Sequence, residues 1–258
     1  MKFAICFRRS REESARRIRK ILEEIGEITQ FIDVWNFKRP DADLSVAIGG
    51  DGTVIKCAKA VQDSSPIVGI KAGRLGFLSS YTLDDLEEFI EDLRAGAFKE
   101  EKRNMIEVQV NGGASLALND VVLQKDVDGR MLEIEVSVGG ESPMWFFADG
   151  LIISTPTGST AYNLSAGGPV VYPFADTIQI TPILPHFLFN RAVVVPSYKE
   201  IFVSTDFSPN LLVDGKNIGK FKRIIVKKSN KFVKIIRSPK SDFFKIVKER
   251  IGFGRRLI

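Results

Sequence analysis

A glycine-rich stretch near the N-terminus, Val46–Thr53 (VAIGGDGT), combines features that suit phosphate binding with one that does not. Three glycines surround Asp51, an apolar run precedes them and a helical pattern of apolar residues follows. Glycine lets the backbone turn sharply and approach a ligand closely, and the unpaired N–H groups of a helix N-terminus attract anions. A carboxylate at this position repels phosphate, so Asp51 needs another role in the chemistry.

A second stretch, Asp149–Tyr162 (DGLIISTPTGSTAY), runs from an apolar strand pattern into a loop with five hydroxyl side chains at positions 154 to 160. Hydroxyls and free N–H groups at a helix start can hold an anion or a sugar. For any single Ser or Thr, helix capping is the simpler interpretation. The number of hydroxyls beside Asp149 favours a ligand site.

A polar pair, Asn119 and Asp120, separates two strand-like runs. An amide can exchange hydrogen bonds with an adenine edge, and a carboxylate can accept them from ribose hydroxyls. Asn and Asp are also common turn residues. A turn is therefore the favoured interpretation of this pair taken alone.

A basic run lies near the C-terminus: residues 216 to 240 contain ten Lys or Arg and no Asp or Glu, in a chain of net charge +5. Strands that expose lysine on one face are usually solvated, edge-protecting surfaces. Nucleic-acid binding of the single-stranded kind uses interleaved aromatic side chains for base stacking, and this run offers only Phe221 and Phe232. We therefore expect no nucleic-acid partner.

The composition excludes several other kinds of site. Hydrophobic residues make up 44% of the 258 positions, which is enough for a substantial core. The only histidine is His186 and the only cysteines, Cys6 and Cys57, lie far apart, so we expect no metal site built from these ligands. No apolar run approaches the roughly 18 residues of a membrane span, and the early charges are unlike a signal peptide. We expect a cytoplasmic protein without a membrane partner.

The elements that must position these residues change in character near residue 98. Before it, strand-like runs alternate with helical patterns, which is typical of a parallel sheet with crossover helices. From there to about residue 237, short strand-like runs dominate, and Ser229–Asn230 between two of them predicts a hairpin. We predict an N-terminal Rossmann-like α/β domain over residues 1–97, a β-sandwich-type domain over 98–237, and a last helix within 238–258 that packs back on the first domain.

Taken together, the motifs resemble those of the NAD kinase family. The loop GGDGT is shared by NAD kinases, diacylglycerol-type lipid kinases and phosphofructokinases, and it lacks the Gly-Lys-Ser/Thr of a Walker A loop. The combination of TPTGSTAY at 155–162 with Gly-Gly-Pro at 167–169 resembles NAD kinase in particular. TPILPH at 181–186 and RAVVVP at 191–196 belong to the same resemblance, which runs from the first strand to the last helix.

The resemblance implies a role for each matching residue. Asp51 corresponds to the acid that activates the 2′-hydroxyl of the NAD ribose, and Asn119 corresponds to an asparagine at the adenine. Asp149 corresponds to an acid near the nicotinamide-side ribose, so the domain over 98–237 is expected to bind NAD. The further nucleotide-binding residues that we expect are Gly52, Lys56, Asp120, Arg130, Thr157, Thr160, Ala161, Tyr162 and Ser165.

Two positions depart from the family pattern, and two others have more than one interpretation. Asp120 stands where many members have Glu, and its carboxylate reaches about one C–C bond less far. Phe147 stands where many members have a basic residue, so one charge contact is missing. Arg130 aligns with a residue that reaches the site of a neighbouring subunit. Lys56 can support donor phosphates, although a surface lysine on its helix is the simpler interpretation.

The expected reaction is transfer of the γ-phosphoryl group of ATP to the 2′-hydroxyl of the adenosine ribose of NAD, giving NADP. The family implies self-association as a dimer or tetramer. The sequence has no second cluster of carboxylates, so we expect Mg²⁺ or another divalent cation to be held mainly by the ATP phosphates. Two alternatives stay open: a lipid or sugar kinase with the same GGDGT loop, which leaves TPTGSTAY unexplained, and a non-catalytic nucleotide-binding protein.

Overall fold

The computed structural model describes residues 1–73 and 75–253 of the chain. These residues form two compact units. Unit 1 comprises Met1–Lys102 together with the chain from Phe232 onward, and unit 2 comprises Arg103–Lys231. The last five positions of the predicted segment 238–258 lie outside the described residues.

Unit 1 is built on a parallel sheet. Its strands are β1 (Lys2–Phe7), β2 (Glu27–Asp33), β3 (Leu44–Ile48), β4 (Ile67–Lys71) and β5 (Tyr81–Thr82). They pair in the order β2–β1–β3–β4–β5, with every pair parallel. All five residues of β3 are buried, as expected for a parallel strand that is covered on both faces. The strand that leads into the glycine loop therefore lies inside the sheet.

Helices cover this sheet and bury one face each. They are α1 (Glu12–Glu23), α2 (Asp51–Val61) and α3 (Leu86–Ala95). In α1 the buried residues Ala15, Ile18 and Leu22 lie three or four positions apart, which places them on one side of a helix. The segment before α3 is capped, because Thr82 and Asp85 form a reciprocal capping box.

Unit 2 consists of two sheets packed on a common hydrophobic core, which confirms the sandwich architecture. One sheet is antiparallel in the order β13–β12–β11–β8–β15–β16, and the other contains β10–β9–β14–β17 and the hairpin β6–β7. The strands are β6 (Lys99–Val110), β7 (Gly113–Ala117), β8 (Asp120–Gln124), β9 (Leu132–Val138), β10 (Met144–Ala148), β11 (Gly150–Ser154), β12 (Thr177–Ile183), β13 (Val193–Pro196), β14 (Ile201–Thr205), β15 (Asn210–Val213), β16 (Lys216–Lys220) and β17 (Arg223–Arg237).

The predicted hairpin at Ser229–Asn230 is wrong. Residues 223 to 237 form one continuous strand, β17. Its first half pairs with β14, where Val226 lies opposite Ile201, and its second half pairs with β4, where Ile235 lies opposite Ile67. Each half thus has its own neighbouring strand, and this ladder of hydrogen bonds outweighs the local turn preference of Ser and Asn.

Two helices complete the described chain. The short α4 (Tyr162–Ser165) lies in unit 2 after a 3-10 turn at Thr157–Thr160, and α5 (Phe243–Ile251) belongs to unit 1. The Asp242 carboxylate caps α5 by accepting a hydrogen bond from the Lys245 N–H at 3.0 Å. Ile246 and Val247 of α5 are buried. Within the described residues, no helix has both the length and the apolar character that crossing a membrane requires.

Candidate functional site

The glycine loop of unit 1 leads from β3 directly into α2, as the sequence predicts. Gly49 has φ of +154°, a conformation that favours glycine, and a Cβ atom there would overlap the Thr53 side chain. A Cβ on Gly50 would meet nothing within 4 Å. The loop is therefore closed on one side by Thr53 and open at Gly50.

The Asp51 carboxylate binds a neighbouring loop rather than pointing into the space beside Gly50. It accepts hydrogen bonds from the N–H groups of Phe77 (2.9 Å) and Leu78 (3.3 Å), and from Ser79 Oγ (3.3 Å). A Cβ on Gly76 would overlap this carboxylate, so only glycine fits there. An acid in the first turn of a helix is also favoured by the helix dipole. Asp51 thus has a structural task as well as the predicted chemical one.

Within the described part of the chain, the start of α2 contains a hydroxyl without a hydrogen-bond partner and backbone N–H groups without a side-chain acceptor. Thr53 is buried, and its Oγ1 has no hydrogen-bond partner among the described residues. The N-terminus of α2 is capped by Gly50, which provides no side-chain acceptor for the free N–H groups. An orphaned hydroxyl beside unpaired N–H groups suits the oxygen atoms of a phosphate.

Lys56 lies on α2 but is not a plain surface lysine. Its Nζ is 2.6 Å from the centre of the Trp35 ring, an arrangement in which the aromatic face attracts the cation. Burial, and secondly the nearby charge of Arg8, lower the pKa of Lys56. The structure therefore places Lys56 against Trp35, on the same helix as Gly52 and Asp51.

In unit 2, the backbone around Asn119 is fixed from two sides. The Asp214 carboxylate accepts hydrogen bonds from the N–H groups of Leu118 (3.0 Å), Asn119 (2.8 Å) and Asp120 (3.2 Å). The Asn119 carbonyl accepts one from the Thr155 N–H at 2.9 Å. The predicted turn pair and the hydroxyl-rich loop are thus parts of one arrangement.

The side chain of Asn119 takes no part in these backbone hydrogen bonds. Its Oδ1 atom is buried and has no hydrogen-bond partner among the described residues. A buried acceptor without a donor costs free energy, so such an atom in a folded protein indicates a missing partner. An adenine amino group is a donor of the required kind.

Most hydroxyls of the stretch Asp149–Tyr162 form hydrogen bonds within the protein. This agrees with the interpretation that single Ser and Thr residues there are structural. Thr155 Oγ1 donates to the Leu118 carbonyl at 2.6 Å and accepts from the Gly158 N–H at 3.1 Å. Ser159 Oγ accepts from the Val171 N–H at 3.1 Å and contacts its carbonyl at 3.2 Å. These bonds fold the loop into its 3-10 turn, so the hydroxyl density by itself is not the ligand site.

The residues that this loop exposes are those named by the family resemblance. Tyr162 is 40% exposed, whereas Thr157 is buried and accepts a hydrogen bond from Arg103 at 3.4 Å. Thr160 and Ala161 are partly exposed, and Ser165 is exposed. The loop therefore presents Thr160 to Ser165 outward on a base of internal hydrogen bonds.

A buried polar network holds α4 in place. Asn163 is fully buried, donates to Gln179 Oε1 at 2.9 Å and accepts from Thr181 Oγ1 at 2.6 Å. Gln179 in turn donates to the Thr155 carbonyl at 3.2 Å. Each of these hydrogen bonds joins polar groups that would otherwise be buried without a hydrogen-bond partner. The position of Tyr162, next to Asn163, follows from this network.

Asp149 and Tyr162 line the same cavity of about 500 Å³ in unit 2. Lys125 and Asn210 are on its wall, and Lys125 Nζ lies 3.5 Å from an oxygen of Asp149. This volume is within the range of small-molecule sites. The structure thus brings together two residues that are predicted to contact the dinucleotide.

Two predicted residues have other surroundings. Asp120 is buried at the start of β8, and its N–H bonds to Asp214. The Arg130 guanidinium pairs with Asp206 at 3.1 Å and lies over the Phe207 ring. Arg130 is not among the residues that line the cavity with Asp149. Among the described residues there is no group of three or more His, Cys, Asp or Glu that can hold a metal ion.

Comparison with known sequences gives a match over both units. The family model described as the ATP-NAD kinase N-terminal domain matches residues 8–98, and the C-terminal domain model matches residues 118–241. NAD kinase of Thermotoga petrophila is 48% identical over 257 residues, which cover 100% of both chains. The chain belongs to the NAD kinase family. The matched regions include both the GGDGT loop and the TPTGSTAY stretch. The comparison therefore does not favour a lipid or sugar kinase, or a non-catalytic nucleotide-binding protein.

Two solved structures have the same fold. Yeast NADH kinase complexed with NADH matches 100% of this chain and 89% of its own, with a TM-score of 0.86 at 23% identity. NAD kinase from Archaeoglobus fulgidus in complex with ATP matches 98% of both chains, with a TM-score of 0.79 at 24% identity. These likenesses confirm the α/β unit, the β-sheet unit and the final helix.

In this member of the NAD kinase family, Phe147, for which the resemblance predicts a departure from the family pattern, contacts other aromatic side chains. Its ring meets the His186 ring edge-on at 5.7 Å between centres, and its carbonyl accepts from the His186 N–H at 2.8 Å. His186 also contacts the Phe187 ring. The His186 ring thus lies among aromatic side chains, which indicates a structural role for this residue.

Sequence reasoning missed Asp214, Arg103 and Asn163. Asp214 precedes Gly215 between two strands and has φ of +48°, so its sequence indicates an Asp-Gly turn. Its partners lie about 95 residues earlier in the chain. No local pattern could indicate that pairing, although a carboxylate at a tight turn is a general sign of backbone N–H acceptance.

Proposed function

We propose that this chain transfers the γ-phosphoryl group of ATP to the 2′-hydroxyl of the adenosine ribose of NAD, producing NADP. The observation that carries the proposal is family membership over the full length, at 48% identity to a named NAD kinase. The two structural neighbours are complexes with NADH and with ATP, respectively. ATP is the phosphate donor of this reaction, and NADH is the reduced form of its acceptor.

Asp51 is the proposed reactive carboxylate. It accepts the proton of the 2′-hydroxyl, or orients that hydroxyl, while the ribose oxygen bonds to the γ-phosphorus. The bond between that phosphorus and the bridging oxygen of ADP breaks, and ADP leaves. Phosphoryl transfer proceeds through a loose transition state, so positioning contributes more than strong base catalysis. The hydrogen bonds from Phe77, Leu78 and Ser79 fix the carboxylate and so support this role.

The acceptor dinucleotide is proposed to bind the residues of unit 2. The unpartnered Asn119 Oδ1 accepts from the adenine amino group. Asp149 accepts from a ribose hydroxyl, and Tyr162 provides an aromatic surface on the same cavity wall. Asp120, Thr157, Thr160, Ala161 and Ser165 complete the proposed set, and Arg130 acts in a neighbouring subunit of a dimer or tetramer.

Magnesium is proposed to enter with the substrate as MgATP. The ATP phosphates are its main ligands, and the cation neutralises the charge that develops on the transferred group. The orphaned Thr53 Oγ1 and the free N–H groups of α2 face the phosphate oxygens in this proposal. We further propose that the enzyme works in the cytoplasm.

The test is an assay of purified protein with MgATP and, in separate reactions, NAD, diacylglycerol and fructose 6-phosphate. The expected result is stoichiometric ADP and NADP with NAD alone. ADP formation with the lipid or sugar, and none with NAD, would overturn the proposal. Absence of turnover with all three acceptors, despite NAD and ATP binding by calorimetry, would instead support a non-catalytic nucleotide-binding protein.

A further inference from the structure

A basic groove of about 880 Å³ lies at the carboxyl ends of β1 and β2 in unit 1. The sheet order β2–β1–β3–β4 reverses direction between β1 and β3. In open parallel sheets, ligands bind outside the carboxyl ends of the strands at such a reversal, and this groove lies beside it, at the ends of β1 and β2. The groove is lined by the segment after β1, including Arg8 and Arg9, and by the segment after β2, including Trp35 and Asn36.

Arg8 lines the groove and also lies next to the glycine loop. Arg8 Nη2 lies 3.8 Å from the position that a Cβ on Gly52 would occupy. Its guanidinium is therefore at the first turn of α2, beside the N–H groups that suit phosphate. A guanidinium can bind phosphate oxygens in a bidentate manner.

The acids of the groove already have partners. Glu12 accepts a hydrogen bond from Arg16 at 2.6 Å. The Asp33 carboxylate accepts from the N–H groups of Arg9 (3.0 Å) and Trp35 (2.9 Å). Among the described residues, no carboxylate forms an ion pair with Arg8. The groove thus keeps a positive charge available at the end that meets the glycine loop.

Trp35 also lines the groove, and its position is fixed. Its backbone N–H donates a hydrogen bond to the Asp33 carboxylate, and Lys56 Nζ lies against its ring. The residue is nevertheless 71% exposed. A large aromatic ring held in place at the rim of a polar groove is a surface on which a nucleobase can stack, because every base has a π-face.

We propose that this groove binds the nucleoside part of the phosphate donor, with the purine on Trp35 and Arg8 on the phosphates. The groove then selects a nucleoside triphosphate over inorganic polyphosphate, since only the former has a base to stack. This inference rests on the proposed function, because it assigns the donor of that reaction. It adds Trp35, Arg8 and the segment after β2 to the residues that determine donor specificity.

A spectroscopic test does not depend on turnover. Trp35 and Trp145 are the two tryptophans of the chain, so Trp145→Phe leaves Trp35 as the only indole. MgATP without NAD should quench its fluorescence in a saturable manner, while inorganic tripolyphosphate, which lacks a base, should not. Equal quenching by both compounds, or by neither at ATP concentrations that saturate turnover, would overturn the inference.

A kinetic test uses Trp35→Ala in the full chain, with Trp35→Phe and Trp145→Ala as matched controls. We expect Trp35→Ala to raise the KM for ATP about tenfold, the effect of one lost stacking contact, with kcat and the KM for NAD nearly unchanged. Trp35→Phe should recover most of the loss, and Trp145→Ala should behave as wild type. A wild-type KM for ATP in a folded Trp35→Ala protein would refute the inference, whereas a wild-type chain that makes no NADP would refute the proposed function alone.

Discussion

Two carboxylates of the molecule do the same structural work in different surroundings. In unit 1, Asp51 accepts hydrogen bonds from the N–H groups of Phe77 and Leu78. In unit 2, Asp214 accepts them from Leu118, Asn119 and Asp120. Both are long-range contacts, since Asp51 reaches 26 residues along the chain and Asp214 about 95. Each thereby fixes a segment that contains or borders a proposed site residue.

Asp51 and Asp214 differ in whether the carboxylate itself contacts the substrate in the proposed reaction. Asp51 is both the residue that fixes its loop and the proposed reactive group. Asp214 only fixes the backbone, and the side chain left for a ligand is that of Asn119. Loop order and chemistry are therefore inseparable in unit 1, whereas in unit 2 they belong to different residues and can be changed one at a time.

The largest effect is expected for Asp51→Asn. The amide keeps the size and one oxygen acceptor, but it cannot take a proton and its NH₂ group repels the N–H donors of the loop. We expect kcat to fall about 10²–10⁴-fold, the usual contribution of general base catalysis, with a much smaller change in NAD affinity. Steady-state kinetics and NAD titration give both quantities. Near-normal turnover would remove Asp51 from the catalytic role.

A matched control separates chemistry from loop order. The Asp43 carboxylate also accepts a backbone hydrogen bond, from the Lys2 N–H at 2.7 Å, but it lies on another part of unit 1. Asp43→Asn should reduce thermal stability slightly and leave kcat unchanged. If both variants lose turnover in proportion to their melting temperatures, loop order alone accounts for the effect of Asp51→Asn.

The next effect is expected for Asp214→Asn, which weakens three hydrogen bonds at once but tolerates the positive φ of the turn. Asn keeps one of the two oxygen acceptors, so the equivalent of about one hydrogen bond to a charged group is lost, and we expect a loss of about 1.5–3 kcal/mol in the free energy of unfolding. The KM for NAD should rise because the Asn119 backbone is less ordered, while kcat at saturating NAD stays near the wild-type value. Denaturant unfolding and initial rates measure the two effects.

Asp176 provides the control within unit 2. Its carboxylate accepts a hydrogen bond from Ser197 Oγ and pairs with Lys228 Nζ, both at 2.5 Å, and it does not line the cavity that contains Asp149. Asp176→Asn should destabilise the chain slightly without changing the KM for NAD in proportion. An equal rise in KM for both variants would show that unit 2 responds to any loss of stability, and the distinction between the two carboxylates would fail.

A smaller and more selective effect is expected for Asn119→Ala. Because Asn119 Oδ1 has no partner among the described residues, its removal should leave the stability of the ligand-free protein unchanged or slightly higher. The KM for NAD should rise about tenfold, which corresponds to one hydrogen bond of about 1.4 kcal/mol. The increase in melting temperature that NAD causes should shrink accordingly. A large loss of stability without NAD would mean that Asn119 is structural.

These residues also show how far the sequence can predict such a molecule. The glycine loop and the helix behind it are evident from local spacing, whereas Asn119, Asp149 and Tyr162 are indicated by the family resemblance, because local pattern alone favours a turn at Asn119. Asp214 is not, since its sequence predicts a turn and its role depends on segments far along the chain. The continuous β17 was mistaken for a hairpin for the same reason: its pairing partners, Ile201 and Ile67, are distant in sequence.

The smallest effect is expected for Ser79→Ala, and Ser154→Ala is its matched control. Each of these serines has a buried hydroxyl 3.3 Å from an atom of a proposed site residue. Ser79 Oγ donates to the Asp51 carboxylate at 3.3 Å, and Ser154 Oγ contacts the Asn119 carbonyl at the same distance. Both residues are fully buried, and each substitution to Ala removes about 0.5–1.5 kcal/mol of hydrogen bonding. Ser79→Ala should lower kcat two- to tenfold on this estimate, because it touches the reactive group. Ser154→Ala should lower stability by a similar free energy and leave kcat unchanged, since Asn119 binds but does not react. Equal effects of the two changes on kcat would mean that Asp51, as the proposed reactive group, and Asn119, as a proposed binding group, do not differ in role.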